Sequence, residues 1–365
     1  MNTSISPGSL QSSTAQRSHS KICYLSEPLS GRKGAQPAEN QRNKMIRNVI
    51  LGLGLVTLGL GQLSAQQDPQ LTQWFNDPAA FNIGAAGESD LTHVNAWYRN
   101  QWMGVNGAPV TTMLNVHSNV DFIPGALGVQ IYQDEIGQES NTMVKLGYAY
   151  HLSPLSNGAH VGIGLNVSLF SKSFDADWIV STGTPAEDPA IPTNGASGTS
   201  TDVDFGVFMR KGKDYYAGLS MTHLAEVQMS SLNIVPTRHY YFMGGYNYAL
   251  NGEELVLRSN LMAKTDLNAT SVDVNVNVLY NDFVWGGVSY RHGDAIAPMA
   301  GVQYEVKNKE GISSSTQVFR LGYSFDATTS ELRNYSTGSH EVFLSYCFKF
   351  ITTPVENKYA NPRIL

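Results

Sequence analysis

The stretch SVDVNVNVLY, residues 271–280, places Val272, Val274, Val276 and Val278 on one side of an extended chain. Asp273, Asn275 and Asn277 fall on the other side. Successive strand side chains point to opposite faces, so this alternation specifies a strand with one apolar and one polar face. From residue 91 onward the pattern recurs in segments of about ten to fifteen residues, and that recurrence constrains the fold more than any other feature. A soluble sandwich uses strands of about five or six residues, whereas a tilted strand crossing a bilayer needs about 9–11.

The alternation predicts fourteen strands, over 91–102, 110–120, 125–136, 140–153, 158–173, 201–211, 214–223, 238–250, 254–265, 270–280, 283–292, 297–307, 315–325 and 338–350. The connections after the second, fourth, sixth, eighth and tenth strands are short, DFIP, PLSN, GK, NGE and ND, and NKEGISS after the twelfth is of middling length. Those after the fifth, seventh and thirteenth are long, and the longest runs from Phe174 to Ser200. Short turns at one end and long loops at the other predict a closed antiparallel transmembrane β-barrel of about fourteen strands, with periplasmic turns and extracellular loops. Closure removes the sheet edges that hydrocarbon would leave unpaired.

Face assignment follows from the same period. Val161, Ile163, Leu165, Val167 and Leu169 face lipid, while Gly162, Gly164, Asn166 and Ser168 face inward. The pattern directs Arg99, Arg210, Arg258, Lys264, Arg291 and Arg320 to the lumen together with Asp202, Asp204, Asp273 and Glu341. A charge on the lipid face costs about 2–4 kcal/mol near the midplane, so an inward place is expected on energy alone. A mutually paired lining is the first reading of these charges, and a solute path the second.

Residues 44–65, KMIRNVILGLGLVTLGLGQLSA, join a basic start to an uncharged run and end in small residues. This reads as a signal peptide over 45–65, cleaved before Gln66, and the run is too short and Gly-rich for a spanning helix. Residues 1–44 are polar and Ser-rich, as in a disordered segment or an over-extended start. Residues 66–90 are expected as an N-terminal segment on the periplasmic side that enters or caps the lumen, and 351–365 as a periplasmic tail. Removing residues 1–65 takes away seven basic and two acidic residues of 24 and 30, leaving a net charge near −11. Nucleic acid is therefore not an expected partner.

The block Arg99, Gln101, Trp102, Gly104, Gly107, Ala108, Pro109 and Thr111 reads first as a hairpin: two glycines for unusual backbone angles, Pro109 to fix φ, and Trp102 at the membrane interface. A docking edge for a secreted domain is its second reading. The sequence contains no metal-ligand His or Cys spacing, phosphate loop or nucleophile elbow. Ser339, His340 and Glu341 alternate faces on a strand and cannot form a triad. Neither an enzyme nor a cofactor is expected. The long loop is rich in Asp, Gly, Pro, Ser and Thr but has no ordered calcium spacing.

Several blocks resemble the PorP/SprF family: YRNQWMGVNGAPVTTMLNVHSNV (98–120), GVSYRHGDAIAPMAGVQYEV (287–306, with Tyr290 and Arg291), LGYSFDATTSELRNYSTGSHEVFLSY (321–346, with His340 and Glu341), NPRIL (361–365) and QDPQLTQWFNDPAAFN (67–82). The resemblance implies an outer-membrane component of the type IX secretion system of Bacteroidota. It implies support for secretion and surface attachment of a large adhesin, including those of gliding motility. Expected partners are the adhesin or its C-terminal sorting domain, periplasmic secretion or peptidoglycan-binding proteins, and membrane lipid. A passive uptake channel for a hydrophobic or small solute is the competing reading of the same barrel.

Overall fold

The computed structural model describes residues 68–89, 91–120, 123–175, 195–251, 254–308 and 315–349. The expected signal peptide, the tail after residue 350 and the centre of the long loop after the fifth strand lie outside these residues.

Fourteen strands form the wall: β1 Thr92–Asn100, β2 Val110–Asn119, β3 Ala126–Ile136, β4 Glu139–His151, β5 His160–Phe174, β6 Ala196–Lys211 and β7 Tyr215–Thr222. They continue as β8 His239–Asn251, β9 Leu255–Thr265, β10 Thr270–Tyr280, β11 Val284–Arg291, β12 Ala295–Asn308, β13 Ser315–Thr328 and β14 Ser339–Phe348. Each pairs antiparallel with its chain neighbours, and β1 closes on β14 with Thr92 opposite Phe348 and Asn100 opposite His340. The sheet is thus a closed barrel without an edge, in agreement with the expected class and strand number.

Several strand ends shift by up to five residues from those expected, among them the start of β6 and the end of β1. β6 begins at Ala196 rather than 201, so the last residues of the expected loop lengthen the β5–β6 hairpin. Gln101 and Trp102, expected in the first strand, instead begin the turn between β1 and β2, where Trp102 has φ +49°.

The end at which β1 starts and β14 finishes is called here the termini end, and the opposite end the loop end. Many outward side chains are apolar: Leu165, Val167, Leu219, Val274, Val276, Val288, Leu321 and Leu344 are exposed, although Val272, near the loop end, is buried. Exposed aromatics gather towards both ends, with Tyr148, Tyr246, Tyr248 and Tyr304 near the termini end and Tyr98, Tyr290 and Tyr323 towards the loop end. Such girdles suit the two interfaces of a bilayer, where an aromatic ring can bury its body and hydrate its polar edge.

The lumen holds the chain's own N-terminal segment. Residues 71–87 are buried and form three short 3-10 turns, Trp74–Asn76, Pro78–Ala80 and Ile83–Ala85. Asp77 and Asn82 initiate the second and third by accepting hydrogen bonds from the backbone N–H groups of Ala79 and Gly84. Leu71, Trp74, Phe75, Phe81 and Ile83 join Trp97, Phe208, Tyr241, Met243, Trp285 and Phe343 in one interior cluster. Residues 71–87 thread the barrel, and Asp68 stands at the loop end. The physical reason is that five large apolar side chains within thirteen residues leave water by filling this interior.

Candidate functional site

The filled lumen and the chamber above it form the candidate site. Room for the plug comes from wall glycines. A Cβ on Gly162 would lie 2.0 Å from the Gly84 carbonyl oxygen, and one on Gly147 would lie 2.5 Å from Ile83 Cδ1. Gly128, Gly164, Gly206 and Gly218 likewise face Ile83 or Asn82. The inner surface from β3 to β7 is therefore flat where the plug lies against it.

The plug carries three acids, Asp68, Asp77 and Glu88, and no Lys, Arg or His between residues 68 and 89. The wall answers each one. At the loop end, Asp68 accepts from Thr222 Oγ1 (2.9 Å) and Tyr241 Oη (2.7 Å) and faces His223 Nε2 at 3.2 Å, while its carbonyl accepts from Lys264 Nζ. His223 also meets Asp202 through Nδ1 at 3.1 Å, so both ring nitrogens face carboxylates. Burial alone would lower the pKa of this loop histidine, but Asp68 and Asp202 outweigh it and push it up to about 10.

At mid-depth, Asn95 and Asn115 donate to Asp77 Oδ2 at 2.6 and 2.7 Å. His117 Nδ1 accepts from the Gly87 N–H, which leaves Nε2 to donate to Asp77 Oδ1 at 3.2 Å. At the termini end, Glu88 lies 2.7 Å from Arg210 Nε. Burial pushes the Glu88 carboxyl up to about 7 against the pull of Arg210.

A fourth contact uses plug backbone. Glu341 accepts the N–H groups of Thr72 and Gln73, both at 2.7 Å. Arg99 donates to Glu341, Asp326 and Thr72 Oγ1, while Arg291 reaches Asp326, Asp273 and Asp294. Opposite charges so close in a buried site hold firmly because removing either partner strands the other.

Of the residues singled out in the sequence, Arg99, Gln101, Thr111, Arg291 and Glu341 converge inside the barrel at the loop end, and buried Pro109 and the partly buried Trp102 line the same chamber. Gly104 and Gly107 sit in the β1–β2 turn with φ of +96° and +72°, next to Ala108. Tyr290 and His340 lie apart on the outer face, where His340 Nδ1 is 2.6 Å from the Tyr323 hydroxyl. Asp202, Asp204, Lys264, Asp273 and Arg320 are buried in the lumen, and Arg258 donates to Asn277 there. The alternation thus placed these charges on the inner face, but many are matched to the plug as well as to one another.

The plug's acids were missed as partners. Their signal was present in the sequence as three acids in a cation-free segment preceding strands rich in inward glycines. Above the plug, a chamber of about 840 Å³ opens at the loop end, with Asp68, Tyr132, Asp134, Glu139, Asn141 and Phe170 in its walls.

A closed antiparallel barrel with an apolar exterior, aromatic girdles and a polar interior is a transmembrane β-barrel of the outer-membrane type. Residues 63–346 match the family described as type IX secretion system membrane protein PorP/SprF. The chain belongs to that family, as the sequence resemblance implied. No curated protein matches the sequence. Similar solved structures include the toluene transporter TbuX of Ralstonia pickettii, with a TM-score of 0.45 and 13% identity over 80% of this chain and 97% of that one. The monoaromatic hydrocarbon channel CymD gives 0.42 and 11% over 81% and 97%. A FadL homologue of Pseudomonas aeruginosa gives 0.42 and 12% over 75% and 94%.

Proposed function

We propose that this chain is a non-enzymatic outer-membrane component of the type IX secretion system that captures and anchors a large secreted adhesin at its loop end. Its termini end, where the turns are short, faces the periplasm and contacts the secretion machinery or peptidoglycan-binding proteins. The observation that carries this reading is the filled lumen: a barrel whose interior is occupied by its own buried segment offers surfaces rather than a conduit. Membership of a secretion-system family supports the kind of partner.

The test is to delete the gene and catalogue the surface polypeptides. Loss of one large exported protein, restored by complementation, supports anchoring; an unchanged surface overturns it. Purified protein in planar bilayers gives a second arm. A silent barrel is expected, and steady conductance blocked by a small solute would favour passive uptake instead.

A further inference from the structure

At the loop end β6 outruns one of its neighbours. β5 pairs with it up to Ala196, whereas β7 reaches only from Phe205 downwards, so among the described residues Ala196 to Asp204 has a strand on one side alone. The loop between β7 and β8, residues 223–238, takes the empty side. Leu224 N–H donates to the Val203 carbonyl at 2.9 Å, and Ser230 N–H to that of Thr199 at 2.8 Å. Thr199 N–H donates back to Ser230 Oγ, and Ala225 N–H to Asp202 Oδ1. Gly198 makes room, since a Cβ there would lie 2.3 Å from the Ser230 carbonyl oxygen. On its inner side the loop walls the chamber with His223, Ile234, Pro236 and Thr237.

The plug holds this loop by both feet. At one, Asp68 accepts from Thr222 Oγ1 and faces His223 Nε2; at the other, it accepts from Tyr241 Oη and lies 3.8 Å from His239 Nδ1. A single plug carboxylate thus ties together the two strand ends from which the loop hangs. Along the loop, His223, Glu226 and Ser231 have φ of +57°, +46° and +65°. L residues rarely take this left-handed form, so contacts from outside the loop must hold its path.

We propose that the β7–β8 loop is a strap closing one side of the chamber, and that Asp68 makes its closure depend on the start of the plug being seated. With Asp68 in place, the strap lies along β6 and the chamber is walled. With Asp68 withdrawn, the two feet lose their common acceptor, the strap lifts from Val203 and Thr199, and the chamber opens above β6. Such coupling is reciprocal, so whatever lifts the strap from outside loosens the start of the plug. The device goes beyond the anchoring reading and does not depend on which partner engages the loops.

Hydrogen exchange read by mass spectrometry on the full-length protein in nanodiscs tests the coupling from both sides. Asp68→Ala removes the clamp without touching residues 224–235, whose exchange should speed at least tenfold. Gly198→Ala pushes on Ser230 without touching the plug. Exchange at Thr72 and Gln73, whose N–H groups Glu341 holds, should then speed at least threefold. Gly244→Ala is the control, because its Cβ would meet only the Tyr216 carbonyl at 3.6 Å, and both segments should keep the parent rates. Faster exchange in Asp68→Ala limited to Thr222, His223, His239 and Tyr241 would overturn the strap, as would a Gly198→Ala barrel whose plug exchanges like the parent. If Gly198→Ala does not fold, the Asp68→Ala result decides alone.

Discussion

Adding one methyl group at Gly162 tests whether the lumen is held shut by the plug. The new Cβ would stand 2.0 Å from the Gly84 carbonyl oxygen, and ordinary contact begins near 3.4 Å, so Gly84 must retreat by roughly 1.4 Å. The other close wall atom, His151 Cδ2 at 3.1 Å, belongs to a side chain that can rotate. Alanine is no worse than glycine in a strand, and the barrel itself should be unharmed. A retreat of that size pulls Asn82 from the carbonyls of Val207 and Leu219, to which its Nδ2 donates at 3.0 and 3.1 Å. Each buried group left unpaired costs about 1–3 kcal/mol, so the seated plug loses about 2–6 kcal/mol. At about 1.4 kcal/mol per factor of ten, the unseated fraction rises from roughly thirty-fold to more than ten-thousand-fold. Planar-bilayer recording of Gly162→Ala should show openings absent from the parent protein, while heat-modified gel mobility still reports a folded barrel. Gly286→Ala is the control, because its Cβ would meet only the Met299 carbonyl at 3.6 Å. A silent Gly162→Ala barrel whose residues 71–87 keep their amide-exchange protection would refute the reasoning.

Other outcomes follow from the remaining contacts. Arg99→Met strands Asp326 and Glu341 and should cost about 3–5 kcal/mol, seen as a lower unfolding temperature in detergent. Asp77→Ala removes the acceptor of Asn95, Asn115 and His117, and faster amide exchange confined to the plug is its expected signature. His223 is raised from 6.5 to about 10, so its stabilisation is complete below about pH 6.5 and is lost as pH rises through about 10. His223→Gln should flatten the stability profile across that window. Val276→Arg, on the lipid face, should cost about 2–4 kcal/mol by urea titration in lipid vesicles, whereas a negligible cost would place that face in water.

The sequence by itself determined the barrel. Alternation such as Val274, Asn275, Val276 and Asn277 is a local property of each strand, and it assigned the lipid and lumen faces. Turn lengths fixed the order of neighbours and the asymmetry of the two ends. Arg99, Arg291 and Glu341 could be placed inside because a charge has only one tolerable face. Their partners were not legible, because Thr72 and Glu341 are 269 positions apart and meet only after β14 closes on β1. The seat of Ile83 against Gly147 and Gly164 and the hold of Asp68 on Thr222 and Tyr241 arise in the same way. Face depends on the nearest neighbours along the chain, whereas a lumen's contents depend on the whole circumference, and only the closed tertiary structure specifies that.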